Sequence, residues 1–318
     1  MNTKTNQNIN IGVDTGKFQL DIYIRPIDIY FTVSNDEKGI KEAVKIIKKH
    51  NPERVVIEAT GRLEMPFILA CASAKLPFTI ANPVHVKRFA GALGQRAKTD
   101  KLDAQLIAHY SEAIKPKLSQ LKPETMQAMS DLVSRRNQLL TMQTMEKNRL
   151  QIMPKELAMT IKPVLTLFKN MILKTEAKIA KLIESCPEYS AKNEILQSMT
   201  GIGRIAAASI ISNLPELGYI NSKQASALIG VAPMNKESGR FKGHRKIQGG
   251  RPQVRTVLYM AMMSAMQSNP VFKAIYQRLL AAGKPKKVAI IACIRKMIVI
   301  LNSMLRDGVL WEAPKVIN

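Results

Sequence analysis

The sequence predicts an α/β domain followed by an all-α remainder. Three observations predict this. Between residues 8 and 115, short apolar runs alternate with amphipathic stretches. From 123 to 185 there is no strand signal and almost no glycine. From 193 to 312 helical patterns resume, interrupted once by a loop rich in glycine and basic residues.

In chain order, INIGVD, FQLDIYIR and IYFTVS read as three strands. NDEKGIKEAVKIIKKH follows as a helix capped by Asn35 or Asp36, with Ile40, Val44 and Ile47 on one face. RVVIEAT reads as a buried strand, EMPFILACASA as a helix, PFTIA as a short strand and KTDKLDAQLIAHYSEAI as the last helix of a domain spanning 8–120. A helical segment, 121–190, comes next. In it Ile161, Leu165, Phe168, Ile172, Thr175, Ile179 and Leu182 form a heptad seam, with Pro163 expected in the helix's first turn. Met126, Met129, Val133 and Leu140 mark the preceding helix. Two antiparallel helices or a dimerising coiled coil would satisfy both patterns equally. The third segment, 191–312, opens with EILQSMTGIGRIAAASIISNL, a helix-hairpin-helix whose Gly201, Gly203 and Arg204 could offer backbone N–H groups and charge to a phosphate. The loop VAPMNKESGRFKGHRKIQGGRPQ and three helices complete it, their Met-rich faces reading as core.

The chain carries 48 Lys and Arg against 24 acids, a formal net charge of +24 over 318 residues. Solubility alone needs about 2 to 8. A surplus this large points to a polyanion: DNA, RNA or an anionic membrane. The membrane fits poorly. The start, MNTKTNQNIN, lacks an apolar signal core, and the most apolar late run is broken by Arg295 and Lys296. Cys71, Cys186 and Cys293 are far apart and show no metal spacing, as expected of reduced thiols in a cytoplasmic protein without structural zinc.

Against that basic background four acids stand out. Asp14 ends the first strand in IGVDTGK, and Glu58 ends a later one in VVIEATG. Strand ends are where open α/β sheets build sites. Asp100 and Asp103, three residues apart, share one face of a helix, where like charges repel unless a cation or full solvation relieves them. Taken alone, that pair reads as a solvated helix face. With Asp14 and Glu58, it reads as a set of hard oxygen ligands suited to Mg²⁺ or Mn²⁺, in the manner of ions that clamp the reacting oxygens of a phosphodiester. Arg96, Lys98 and Lys101 would hold the phosphate backbone around them. In the basic loop, Arg240, Lys242, His244, Arg245, Lys246 and Arg251 offer charge to a pentavalent phosphate, and the glycines permit close approach.

The order of the four acids resembles the RuvC-like branch of the ribonuclease H fold. With IGVDTGKFQLDI, IEATG, ANPVHVKRFAGALGQRAKTDKLDAQLIA, SMTGIGRIAAASI and ALIGVAPMNKESGRFKGHRKIQGGRPQVRTVLYMA in sequence, the chain resembles the IS110 family of insertion-sequence transposases, which includes Piv-type DNA invertases, from about residue 9 to about residue 312. The resemblance implies an N-terminal RuvC-like domain with an acidic tetrad of Asp14, Glu58, Asp100 and Asp103. It implies a central coiled coil and a C-terminal transposase domain whose Ser238, in Glu237-Ser238-Gly239, is catalytic. It also implies a covalent serine–DNA intermediate, metal assistance and double-stranded donor and target DNA. A bridge RNA encoded beside the gene would guide the reaction. A homo-oligomer is implied as well, dimeric and tetrameric when assembled on DNA, in the nucleoid of a prokaryotic cytoplasm. An invertase of the same family, or a purely hydrolytic RuvC-like nuclease, are the alternatives. KIQGGR departs from the family pattern at Gln248, where a hydroxyl is usual.

Overall fold

The structure, a computed structural model, describes residues 8–312 except 96, 236, 239, 240 and 244. It divides into two compact units between Leu121 and Lys122.

The first unit is built on a five-stranded sheet of β1 (Asn10–Thr15), β2 (Gln19–Arg25), β3 (Ile29–Ser34), β4 (Arg54–Glu58) and β5 (Phe78–Ala81), in the order β3-β2-β1-β4-β5. β1, β2 and β3 pair antiparallel, while β4 and β5 run parallel to β1. This mixed sheet, covered by helices on both faces, is the ribonuclease H-like arrangement expected from the sequence. Helix α1 (Glu37–Lys49), capped by Asp36 accepting from the Gly39 N–H, packs with α2 (Met65–Ser73) on one face. There Ile40, Ile47, Phe67 and Ile68 meet Ile11, Val13, Ile22 and Ile57. On the other face lie α3 (Pro83–Ala92), which the sequence reading did not foresee, and α4 (Asp100–Ile114). Because both faces are covered, the strands read as near-continuous apolar runs.

Strand alternation fixes which side chains face α4. Ile11 and Val13 point to the α1 side, so Gly12 and Asp14 point to α4. The same rule sends Val56 and Glu58 of β4, and Asp21 and Tyr23 of β2, to the α4 side. Gly12 lets the helix settle directly on the sheet: a methyl group there would lie 2.2 Å from the Ala108 nitrogen and 2.3 Å from the Ala104 oxygen. Both are backbone atoms that cannot move aside. Farther along, the Ser111 hydroxyl donates to Asn10 Oδ1 at 2.6 Å, and Arg25 pairs with Glu112 at 2.9 Å. The C-terminal part of α4 is thereby pinned to the start of β1, and its first turn is left beside the end of β1.

The second unit begins with a helical hairpin, α5 (Glu124–Ile152) and α6 (Lys155–Glu184), joined by Met153 and Pro154. At 1.5 Å per residue each helix is about 45 Å long. The heptad seam is spent inside the chain. Ile161, Ile172, Thr175 and Ile179 are buried, and Arg136 of α5 pairs with Glu176 of α6 at 2.6 Å. Pro163 is not in a first turn, because α6 begins eight residues earlier at Lys155. It sits on the exposed side, where water can satisfy the carbonyl freed by its missing N–H.

Met126, Met129, Val133, Ile179 and Ile183 carry the hairpin's base into the core made by α7 (Pro187–Ser198), α8 (Arg204–Asn213), α9 (Ser222–Leu228), α10 (Pro252–Ser268), α11 (Pro270–Ala281) and α12 (Lys286–Asp307). Helix α12 is long and apolar enough to cross a bilayer by length and composition. Here half of its most apolar stretch is buried, with Cys293, Ile294, Met297, Ile298 and Leu301 fully covered. It also holds buried Asn302, which accepts from the Gly218 N–H at 2.8 Å and donates to the Ile220 carbonyl at 2.7 Å.

The Gly-rich loop contains two short strand pairs. β6 (Pro233–Met234) pairs antiparallel with β9 (Lys246–Ile247), and between them β7 (Glu237–Ser238) pairs with β8 (Phe241–Lys242). This arm leaves and re-enters the core at one point. Gly230 and Gly250 both have φ of +69°, and a methyl group on Gly250 would come within 2.2 Å of the Gly230 nitrogen. Arg255 bridges them, donating to the Ile229 carbonyl at 3.0 Å and the Gly249 carbonyl at 2.7 Å.

Candidate active site

In the register of the parallel pair, Val13 stands beside Ile57, so Asp14 and Glu58 follow as neighbours at the C-terminal ends of β1 and β4. The seating of α4 on Gly12 and the Thr99 cap, whose hydroxyl accepts from the Leu102 N–H at 3.2 Å, bring the first turn of α4 to the same edge. Three of the four acids sense one another. Burial pushes the Asp14 carboxyl above its usual range, and Asp103, Asp21 and Asp100 push it further, against the Thr15 N–H. Glu58 is raised by burial, then by Asp14 and Asp103, with Lys98 opposing. Asp103 is raised by burial; Lys98 lowers it and Asp100 raises it. Asp100 is exposed at the helix start.

Glu58, Asp103, Lys98 and Lys87 line a cleft of about 460 Å³. Among the described residues, no three His, Cys, Asp or Glu side chains stand close enough to form a ready-made metal cage. The donor chemistry still suits a hard divalent cation. Asp14, Glu58 and Asp103 are oxygen donors raised by burial and then by neighbouring carboxylates, and no hydrogen bond or ion pair engages the side chains of Glu58, Asp100 or Asp103 among the described residues.

Two features at this edge were not anticipated. Asp21 is the Cα partner of Asp14 across β1 and β2. It is buried and accepts from Tyr30 at 2.7 Å and Gln19 at 3.0 Å, and it drives the Tyr30 hydroxyl up to about 12. Its signal was an acid inside FQLDIYIR, a strand otherwise buried on both faces. Phe18, at the turn between β1 and β2, is 78% exposed with the Lys17 ammonium 5.1 Å from its ring centre. The turn is fastened by Asn35, whose amide donates to the Gly16 carbonyl at 2.9 Å.

The predicted phosphate contacts divide. Lys101 lies over the Tyr30 ring at 5.4 Å. Gly201, with φ of +107°, is packed against Ala265 of α10, whose Cβ would be 2.5 Å from an added methyl group. Gly203 and Arg204 are exposed at the uncapped start of α8. Arg245 and Lys246 are exposed. Arg251 is already engaged: it grips Glu216 with two bonds of 2.7 and 2.6 Å and donates to the Asn213 carbonyl at 2.6 Å. Burial pushes the Glu216 carboxyl up, but that grip holds it below its usual range. Ser238 ends β7, with Phe241 as its Cα partner. Arg96, Arg240 and His244, and the side chains of Ser238 and Lys242, lie outside the described residues.

Carboxylates gathered at the edge of a ribonuclease H-like sheet, in a chain this basic, are the arrangement expected of proteins that act on the phosphodiesters of nucleic acid. Residues 11–157 match a family described as "Transposase", and residues 193–277 match "Transposase IS116/IS110/IS902 family". The chain belongs to the IS110 family of transposases. It is 25% identical to the pilin gene-inverting protein of Moraxella bovis over 94% of this chain and 96% of the relative. It is 29% identical to the insertion element IS110 uncharacterized 43.6 kDa protein of Streptomyces coelicolor, over 43% of this chain and 34% of that one. A solved structure of T. thermophilus RuvC in complex with a Holliday junction substrate aligns with 35% of this chain and 99% of its own, at 15% identity and a TM-score of 0.27.

Proposed function

We propose that the chain cuts and rejoins double-stranded donor and target DNA through Ser238, as the transposase of an insertion sequence. The observation that carries this reading is the convergence of Asp14, Glu58 and Asp103 at one sheet edge in a +24 chain, with mutual repulsion and few partners. In the reaction, the Ser238 oxygen forms a bond to phosphorus, and the phosphorus–O3′ bond breaks. The serine's proton is lost and the departing 3′ oxygen gains one, leaving a 5′-phosphoserine link and a free 3′-OH. Attack by a second strand's 3′-OH reverses the link and frees the serine. Asp14, Glu58, Asp103 and the more exposed Asp100 would hold Mg²⁺ or Mn²⁺. When bound, the ion supplies Lewis-acid stabilisation of the charge that develops on phosphate oxygens. Lys98 and Lys101 would hold the backbone near the acids, and Arg245, Lys246 and the arm's other cations would hold it near the serine.

Further partners belong to the same proposal. A bridge RNA suits the charge and would supply sequence choice by base pairing. Self-association would use the outer face of the α5–α6 hairpin, since the heptad seam is occupied. Met159, Leu167 and Leu173 of α6 are each more than half exposed there. Inversion of a fixed DNA segment is the second reading, favoured by the near full-length match to the pilin gene-inverting protein. It uses the same chemistry on different DNA.

The test is adduct trapping. The protein is incubated with its native flanking DNA, denatured rapidly and examined for protein-linked DNA. We expect an adduct in the wild type and none in Ser238→Ala or Asp14→Ala. Cutting without an adduct, retained in Ser238→Ala, would establish a hydrolytic nuclease instead.

A further inference from the structure

The second unit holds a cleft of about 770 Å³ bounded by β9, α10 and α12, lined by none of the four acids. Its volume falls in the range of small-molecule sites, about 300–1,000 Å³. We propose that it binds one unpaired nucleotide of a nucleic-acid strand, with the base on the apolar floor and the neighbouring phosphates on a ring of cations.

The floor is Val231, Ile247, Tyr259, Val288 and Ile291. The Tyr259 hydroxyl makes no hydrogen bond among the described residues, so its ring edge and its polar tip are both available to a heterocycle. The rim is Arg245, just before β9, Lys246 of β9, and Lys287 and Arg295 from α12. No acid lines the cleft, and none of these four cations is paired with an acid among the described residues. An apolar floor inside a ring of unanswered positive charge complements an anionic ligand with one flat apolar part. A nucleotide lifted out of its stack is such a ligand: every base has a π-face, and a phosphate lies on either side of it. Lys246 on β9 and Arg245 just before it belong to the arm bearing Ser238, so a strand held by the arm would pass the mouth of the cleft. This last link rests on the proposed role of the arm; the floor and the charge do not.

The test uses the full chain and fluorescence anisotropy on three short labelled DNA duplexes: one fully paired, one with a single bulged thymidine and one with an abasic bulge. The bulged thymidine should bind about tenfold more tightly than either of the others. Ala292→Trp, which fills the cleft from an exposed position on α12, should erase that preference and leave affinity for the paired duplex unchanged. Val288→Trp serves the same purpose if Ala292→Trp does not fold. Lys287→Ala with Arg295→Ala should weaken all three complexes. Equal affinity for the thymidine and abasic bulges would overturn the proposal, as would a preference that survives both fillers. So would filler-sensitive binding to phosphatidylglycerol vesicles without any base preference. Ser238→Ala should keep the thymidine preference, so failure of the adduct assay and failure of this site are read separately.

Discussion

At the scale of single residues, burial and neighbouring carboxylates make Asp14, Glu58 and Asp103 costly to ionise. Asp103 is held above the ordinary carboxylate range by burial, with Asp100 adding to the effect and Lys98 opposing it. A carboxyl whose folded value is raised favours folding while protonated. That contribution is fully present below the ordinary value and is lost as pH rises through the raised one. Asp103→Asn imitates the protonated form. It should raise the melting temperature at pH 7, and the gain should shrink and vanish as the pH falls below the ordinary carboxylate range. Adding Mg²⁺ should stabilise the wild type more than the variant; equal shifts would separate Asp103 from any metal. In the sequence, Asp14 and Glu58 stood out because each follows an apolar strand and precedes a small residue and glycine, and Asp100 and Asp103 because they pair on one face of a helix. The sequence hid Asp21, whose only mark is its place in a strand, and the reason for Gly12, which becomes visible only when α4 lies on it. Arg251 looked like its basic neighbours because its partner Glu216 is 35 residues away.

At the scale of elements, legibility followed periodicity. The five strands of the sheet and the long helices announced themselves through repeating apolar positions. α3 did not, although Asn82 and Pro83 form a good start signal: its side chain caps the Val84 N–H at 2.9 Å, but only Val86 is buried. The two-residue strands of the arm are too short for any period. The heptad of α6 was correctly seen as a seam, but its partner could not be chosen from sequence, since a neighbouring helix and a second chain present the same surface. The structure chooses α5. Ile172→Asp, which places a charge in that seam, should therefore cost about 3 kcal/mol or more of stability. Met159→Glu with Leu167→Glu, both on the outer face, should leave helicity intact and shift sedimentation toward smaller species. An unaltered sedimentation profile would remove the hairpin from self-association.

At the scale of the whole molecule, two separately cored units carry different parts of the proposed chemistry, the acids in the first and the serine in the second. The clasp of Gly230 and Gly250 has a consequence for how such a chain can vary. Residues 231–249 begin and end at touching points, so the core does not depend on the length of what lies between them, and loop length itself alters closure entropy only weakly. The arm is in effect a detachable cassette. Replacing residues 233–247 by a short glycine–serine bridge should leave the melting temperature of the second unit within a few degrees of the wild type while abolishing adduct formation. Collapse of the fold would show instead that the arm is part of the core's own support. A cassette of this kind lets the arm be lengthened, reshaped or exchanged without redesigning the protein that carries it.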